Sequence, residues 1–236
     1  MAVHPFKAMI LAAGRGERMR PLTDTLPKPL LRVGNQMLIE YHLRNLAQAG
    51  FLDVVINHAY LGHMIEAALG NGQRYGIHIT YSQETSVLET AGGITKALPL
   101  LTNFSANQPF LVINADIYCQ MNYSTLLSPL QRLWSNPASD LAHLVLVDNP
   151  QHHPAGDFFL EQDRLTKTGQ HKLTFSGIGV YRPQLFNQVM PDTATKLSPL
   201  LHQAISADKV SGEYYHGMWM DIGTPERLQL LNVQLL

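Results

Sequence analysis

The sequence predicts an α/β fold: a Rossmann-like, mostly parallel mixed sheet with helices on both faces. Three observations carry that expectation. Short apolar, β-rich runs alternate with stretches of helical periodicity. The early runs are almost continuously apolar, as strands covered on both sides must be. No linker, low-complexity stretch or solenoid-length repeat interrupts the 236 residues, so one domain with two lobes is expected.

In chain order, "AMILAA" (8–13) reads as a buried strand. "MLIEYHLRNLAQAG" places Leu38, Ile39, His42, Leu43 and Leu46 at helical spacing, with Gly50 as a stop. "DVVIN" (53–57) is the next strand, and residues 61–69 make a short helix ended by Gly70. "IHITYS" (77–82) is a third strand, "AGGITKALPLL" a helix with Pro99 near its end, and "FLVINAD" (110–116) a fourth strand. The second half is less regular. "LAHLVLVD" (141–148) is a strand, and the stretch 156–183 reads as short strands joined by polar turns. Helices are expected near 196–206 and from Pro225 onward, the latter with Thr224 as N-cap and Pro225 at the first helical position. Trp219, Met64, Met190 and Met220 read as packing residues.

Composition narrows the function. A net charge of −1 argues against a broad basic surface for nucleic acid. The single cysteine, Cys119, excludes an internal disulfide framework and a cysteine-based zinc site, and suits a reducing compartment. The apolar segment 6–13 is too short to span a bilayer and lacks the pattern of a signal peptide, so a cytoplasmic protein without a membrane partner is expected. The histidine pair His152 and His153 shows no metal-ligand spacing, so a zinc site is not expected.

The chemistry concentrates after the first strand. "LAAGRGERMRPLT" (11–23) carries Gly14 and Gly16, and residues 14–32 hold Arg15, Arg18, Arg20, Lys28 and Arg32 against Glu17 and Asp24. Glycines let backbone N–H groups approach phosphate oxygens closely, and a local cationic stretch in a near-neutral chain suits a small polyanionic ligand. No Walker loop is present. A dinucleotide fingerprint would need glycine where Met19 stands; with Pro21 following, the loop is expected to stay extended.

The stretch "LAAGRGERMRPLTDTLPKPLL" resembles the signature of the sugar-1-phosphate nucleotidylyltransferases, an L-A-A-G-x-G element followed by P-K-P. "SQETSVLETAGGI", "NAD", "FSGIGVYRP" and "WMDIGTPE" are similar to later motifs of that family, in the family's order. The resemblance implies the nucleotide-diphospho-sugar transferase fold, with a nucleotide lobe over about 1–116 and a small sugar-binding lobe over about 117–236. It implies that Arg18 and Lys28 contact phosphates and that Asp116 and Asp221 hold Mg2+. It places the nucleoside along Leu11, Ala12, Ala13, Gly14, Gly16 and Thr90, with Gln83 and the backbone at Gly92 reading the base. It implies a sugar site at Asn114, Asp157, Glu161 and Gly177. The family's sugar-lobe lysine has no aligned counterpart in "LEQDRLTK"; Lys167, Lys172 or Lys196 could replace it.

The implied reaction joins a nucleoside triphosphate to a sugar 1-phosphate and releases pyrophosphate. Stretches such as "LIEYHLRNLAQAG", "GDFFL" and "KVSGEYYHG" are most similar to the uridylyltransferases of peptidoglycan recycling, which implies UTP and N-acetylmuramate 1-phosphate as substrates. Guanylyl transfer to mannose 1-phosphate, and uridylyl or thymidylyl transfer to glucose 1-phosphate, are the alternatives; a non-catalytic nucleotide-sugar sensor is the remote one. The chain ends soon after the last motif, so a monomer is expected.

Overall fold

The computed structural model describes residues 4–102, 107–136, 138 and 140–235. Four parallel strands form the first half of one nine-stranded sheet: β1 (Ala8–Leu11), β4 (Asp53–His58), β5 (His78–Gln83) and β6 (Phe110–Asn114), in the order β5-β4-β1-β6. Beyond β6 the sheet turns largely antiparallel. The long β11 (Lys172–Tyr181) runs against both β6 and β8 (Ala142–Val147). Next come β12 (Val210–Tyr214), which is parallel to β8, then β10 (Arg164–Thr166) and β9 (Phe158–Glu161). Two small ladders complete the strands: β2 (Arg32–Val33) with β3 (Gln36–Met37), and β7 (Ile117–Cys119) with β13 (Trp219–Asp221).

Strand alternation divides the interior. Ala8, Ile10, Val54, Ile56, Leu111 and Ile113 face one side, where they pack with α1 (Leu38–Ala49), α2 (Gly62–Leu69) and α4 (Leu127–Ser135). Met9, Val55, Phe110, Val112 and Leu144 face the other, against α3 (Glu89–Leu101) and α5 (Leu197–Ser206). Residues pointing to both sides must then be apolar, which is why these strands read as unbroken hydrophobic runs. Gly50 closes α1 in the left-handed region at φ 88°, and the Glu40 carboxylate accepts the Met37 N–H at the other end. Thr224 caps α6 (Pro225–Gln234) as expected.

A third, smaller core joins chain ends far apart in sequence. Met19, Leu31, Val33 and Leu38 pack with Tyr118, Ile222 and Leu231, so α6 closes over the segment that follows β1. Met190 departs from the expectation of packing: it is 70% exposed, in the turn region before α5. Trp219 is half-buried and donates its indole N–H to the Ser176 carbonyl at 2.8 Å.

Candidate active site

A cleft of about 470 Å3 opens at the carboxyl ends of β1, β4 and β6, where open α/β sheets hold ligands. Leu11, Ala12, Ala13, Gly14, Gly16 and Thr90 all line it. The loop between Gly14 and Thr23 is not extended. It winds through a 3-10 turn, Glu17–Met19, with the Met19 N–H on the Gly16 carbonyl and the Thr23 hydroxyl on the same oxygen at 2.7 Å. Gly16 sits at φ 68°, where a side chain would be strained, and that kink starts the turn. Met19 is fully buried and anchors the turn, while its neighbour Arg18 lies on the cleft wall, without an acidic partner among the described residues. The outer cations are used differently. Arg15 stacks on Tyr60, and Arg20 pairs with Asp24 at 3.0 Å.

Lys28 lies in the cleft between Pro27 and Pro29, only 8% exposed, and its Nζ is 2.6 Å from Asp116 Oδ2. Asp116 follows β6 by two residues. The β7–β13 ladder sets Asp221 opposite Ile117, and the Ile222 N–H donates to the Asp116 carbonyl at 2.7 Å. The ladder therefore brings Asp221 beside the chain segment that carries Asp116, just before β7, although the two are 105 residues apart by number. Asp221 lies between an imidazole and a guanidinium: Oδ1 is 3.0 Å from His152 Nε2, and Oδ2 is 3.1 Å from Arg227 Nη2. The shielded Oδ1 accepts no hydrogen bond.

That donor set suits a hard divalent cation. Two carboxylates at one end of a short ladder, one in it and one just before it, the former with an oxygen lacking a hydrogen bond, provide the one or two anionic oxygens that Mg2+ takes beside substrate phosphates. Among the described residues no cluster of three or more His, Cys, Asp or Glu could enclose a metal unaided.

A buried network steadies the nucleotide side. The Ala12 N–H donates to Asn57 Oδ1 (2.9 Å), and Asn57 Nδ2 donates to Glu84 Oε1 (2.6 Å). Burial raises the Glu84 pKa, opposed by the Asn57 hydrogen bond and by the Leu88 N–H. A Cβ on Gly93 would stand 2.6 Å from Glu84 Oε1, so α3 can approach only as glycine there. Asn57 and Glu84 both line the cleft, and neither was expected. The available signal was a polar residue closing each of two strand-like runs, "DVVIN" and "ITYSQE". Glu89, also unexpected, opens α3 at φ 58° on the cleft wall, an uncommon conformation for a residue with a Cβ.

Two expected nucleotide contacts fall outside the cleft lining. Gln83 is exposed at the end of β5, and the Gly92 N–H is bonded to the Thr195 carbonyl at 3.2 Å. A Gly92 Cβ would meet the Thr193 carbonyl oxygen at 2.4 Å, so this glycine serves a close approach of the 193–195 strap. On the sugar side, Asn114 lines the cleft, and Gly177, at φ 83° in the irregular stretch of β11, lies directly behind it. A Gly177 Cβ would be 2.7 Å from Asn114 Nδ2. Asp157 accepts the Phe175 N–H (2.8 Å) and pairs with His153 (3.0 Å), a structural tie outside the cleft lining. Glu161 is exposed at the far sheet edge, in the β9–β10 hairpin. Lys167, Lys172 and Lys196 are exposed and line no part of the cleft; Lys172 lies over the Phe159 ring.

A glycine-rich cationic turn shares the cleft with Asp116, while Asp221, on the strand beside it, falls outside the cleft lining; a turn of this kind suits phosphorylated ligands. The nucleotidyl transferase family matches residues 7–136. The chain is 50% identical over 227 residues to the N-acetylmuramate alpha-1-phosphate uridylyltransferase of Neisseria meningitidis serogroup B, covering 94% of this chain and 95% of that protein. It is 30% identical to a mannose-1-phosphate guanyltransferase of Schizosaccharomyces pombe, over 93% of this chain and 61% of that one. The fold superimposes on HddC from Yersinia pseudotuberculosis, solved with GMP-PN, at a TM-score of 0.77 and 17% identity, covering 98% of this chain and all of that one. The chain belongs to the sugar-1-phosphate nucleotidylyltransferases.

Proposed function

We propose that this enzyme transfers a uridylyl group from UTP to N-acetylmuramate 1-phosphate, giving UDP-N-acetylmuramate and pyrophosphate, in cytoplasmic recycling of peptidoglycan. The observation that carries this reading is 50% identity to a uridylyltransferase of that specificity along nearly the whole of both chains. The match to a mannose-1-phosphate guanyltransferase is weaker and spans 61% of that protein, which places guanylyl transfer second.

The site suits the chemistry. Both substrates are anions and repel in water, so the protein must hold them in line and offset charge that grows on the α-phosphate and the leaving group. The turn at 14–19 receives the triphosphate through backbone N–H groups and Arg18. Lys28 moves its charge from Asp116 to the departing pyrophosphate. Asp116 and Asp221 would hold Mg2+, which would polarise the phosphate oxygens and offset their negative charge. The sugar phosphate oxygen attacks the α-phosphorus; that bond forms as the bond to the β-phosphate oxygen breaks. No side-chain nucleophile is required, because the attacking phosphate is already ionised. Asn114, backed by Gly177, faces the sugar. The nucleotide lobe covers about 1–116 and the sugar lobe the remainder.

Pyrophosphate release measured with UTP, GTP, CTP and dTTP against N-acetylmuramate, mannose and glucose 1-phosphates tests the reading. The highest kcat/KM is expected for UTP with the muramate. A higher value for GTP with mannose 1-phosphate would overturn the substrate assignment and leave nucleotidylyl transfer standing.

A further inference from the structure

Arg227 has no role in any motif described above, yet its guanidinium occupies the space behind the cleft wall. Its side chain is 15% exposed. Nε and Nη2 are shielded from solvent and make no hydrogen bond to the protein. Nη2 stands 3.1 Å from Asp221 Oδ2, and a Cβ built on Gly223 would lie 1.9 Å from it. Gly223 itself lines the cleft. The guanidinium is thus sandwiched between the cleft wall and Asp221, in space that only glycine at 223 leaves open.

We propose that Arg227 is a positioning residue for the metal site: it fixes the orientation of the Asp221 carboxylate from behind, so that Mg2+ finds a preset ligand. The inference rests on the assignment of Asp221 as a metal ligand. The two contacts on Asp221 differ in kind. His152 is 41% exposed and reaches Oδ1 from the Asn149–Asp157 loop, so it is the partner an arriving metal displaces. Arg227 stems from the first turn of α6, its side chain is only 15% exposed, and its guanidinium packs against Gly223. A charge contact without directed hydrogen bonds orients the carboxylate but leaves its lone pairs available. Residues behind metal ligands commonly set affinity or activity by 10–100-fold. The arrangement also gives a physical reason for glycine after "WMDI": any side chain at 223 displaces the guanidinium.

The test uses Arg227→Met, Arg227→Lys and Gly223→Ala in the full chain, with Mn2+ as a paramagnetic probe of the metal site. Mn2+ affinity is read by electron paramagnetic resonance without substrates, and the Mg2+ concentration giving half-maximal kcat is read separately. Arg227→Met and Gly223→Ala are expected to weaken Mn2+ binding about 10-fold or more and to raise the Mg2+ requirement in parallel. Arg227→Lys, which restores the charge with fewer contacts, should recover part of both. Circular dichroism establishes that each variant is folded. Were Arg227→Met unfolded, the lysine and alanine variants would decide. Folded variants with wild-type Mn2+ affinity, or with low kcat but unchanged metal dependence, would overturn the proposal. If Asp221→Asn binds Mn2+ as the wild type does, the metal-ligand assignment falls and this inference with it. If only the Arg227 variants behave as wild type, the assignment stands and this inference alone fails.

Discussion

Lys28 carries its charge into a cleft wall where only 8% of its surface remains exposed, and among the described residues Asp116 is its only ion-pair partner. Burying an ammonium there costs desolvation free energy that one half-exposed carboxylate only partly offsets. We therefore expect opposite signs from Lys28→Met. Thermal stability should be unchanged or higher, and kcat should fall about 100- to 1,000-fold, the loss typical of a group that stabilises developing charge. Comparable losses in both would assign Lys28 to the scaffold. His42, by contrast, is a matter of stability. It is buried with Nδ1 on the Tyr123 hydroxyl and Nε2 on the Ile117 carbonyl, each at 2.8 Å, and burial lowers its pKa to about 4. The unfolded chain takes up a proton near its ordinary value of 6.5, before the folded chain does. Its contribution to stability is thus intact above pH 6.5 and is lost as pH falls towards 4, by about 3 kcal/mol in all. Unfolding free energies from pH 7.5 to 4 should fall more steeply in the wild type than in His42→Gln; identical slopes would contradict this. At this scale the sequence displayed Arg18, Lys28, Asp116 and Asp221 through their motifs. It hid Asn57, Glu84, His152 and Arg227, because each works through a partner that no local pattern links to it.

Among elements, α3 shows how one residue type sets a helix position. Gly93 lets the helix lie against the Asn57–Glu84 pair, and that pair holds the Ala12 N–H at the start of the phosphate turn. A Cβ at 93 would be 2.6 Å from Glu84 Oε1 and 2.9 Å from Asn57 Nδ2, so both atoms must move. Gly93→Ala is expected to destabilise by about 1–3 kcal/mol, the cost of disturbing a buried hydrogen-bonded pair, despite alanine's better helix propensity. It should also raise KM for UTP more than for the sugar phosphate. A variant more stable than the wild type would show that the helix can shift freely. The four parallel strands were legible because burial on both faces leaves an apolar run of strand length. Three later elements were not. β12, "VSGEY", interrupts its apolar residues with Ser211, Gly212 and Glu213, and pairs with β8 from 68 residues away. β13 is three residues long and exists through its pairing with β7. α4, "LSPLQRLWS", is a short helix that starts out of a 3-10 turn, with Pro129 in its first turn. The loop expected to be extended folded into turns because Met19 had a hydrophobic site to fill, and that site is formed in part by Ile222 and Leu231 from the far end of the chain.

That distant contact governs the molecule as a whole. The 3-10 turn at Glu17–Met19 and the last helix share one small core, in which Met19 and Leu231 are both fully buried. Asn232 adds a polar tie, accepting the Gly34 N–H at 2.7 Å. α6 is amphipathic only in part: Leu230 and Val233 are 49% and 63% exposed, which leaves Leu231 as its one fully buried residue. The order of the phosphate turn therefore depends on the end of the chain, whereas the two large cores on either side of the sheet do not involve it. Truncating a buried leucine to alanine typically costs about 2–5 kcal/mol wherever it lies. Leu231→Ala and Leu133→Ala, the latter at a buried position of α4, should both lower the melting temperature. Their kinetics should differ. Only Leu231→Ala loosens the seat of Met19 and with it Arg18, so KM for UTP should rise several-fold in that variant and stay near the wild-type value in Leu133→Ala, when both are assayed well below their melting temperatures. Equal effects on KM would mean that the turn is ordered by its own hydrogen bonds at Gly16 and Thr23, and that the third core serves stability alone.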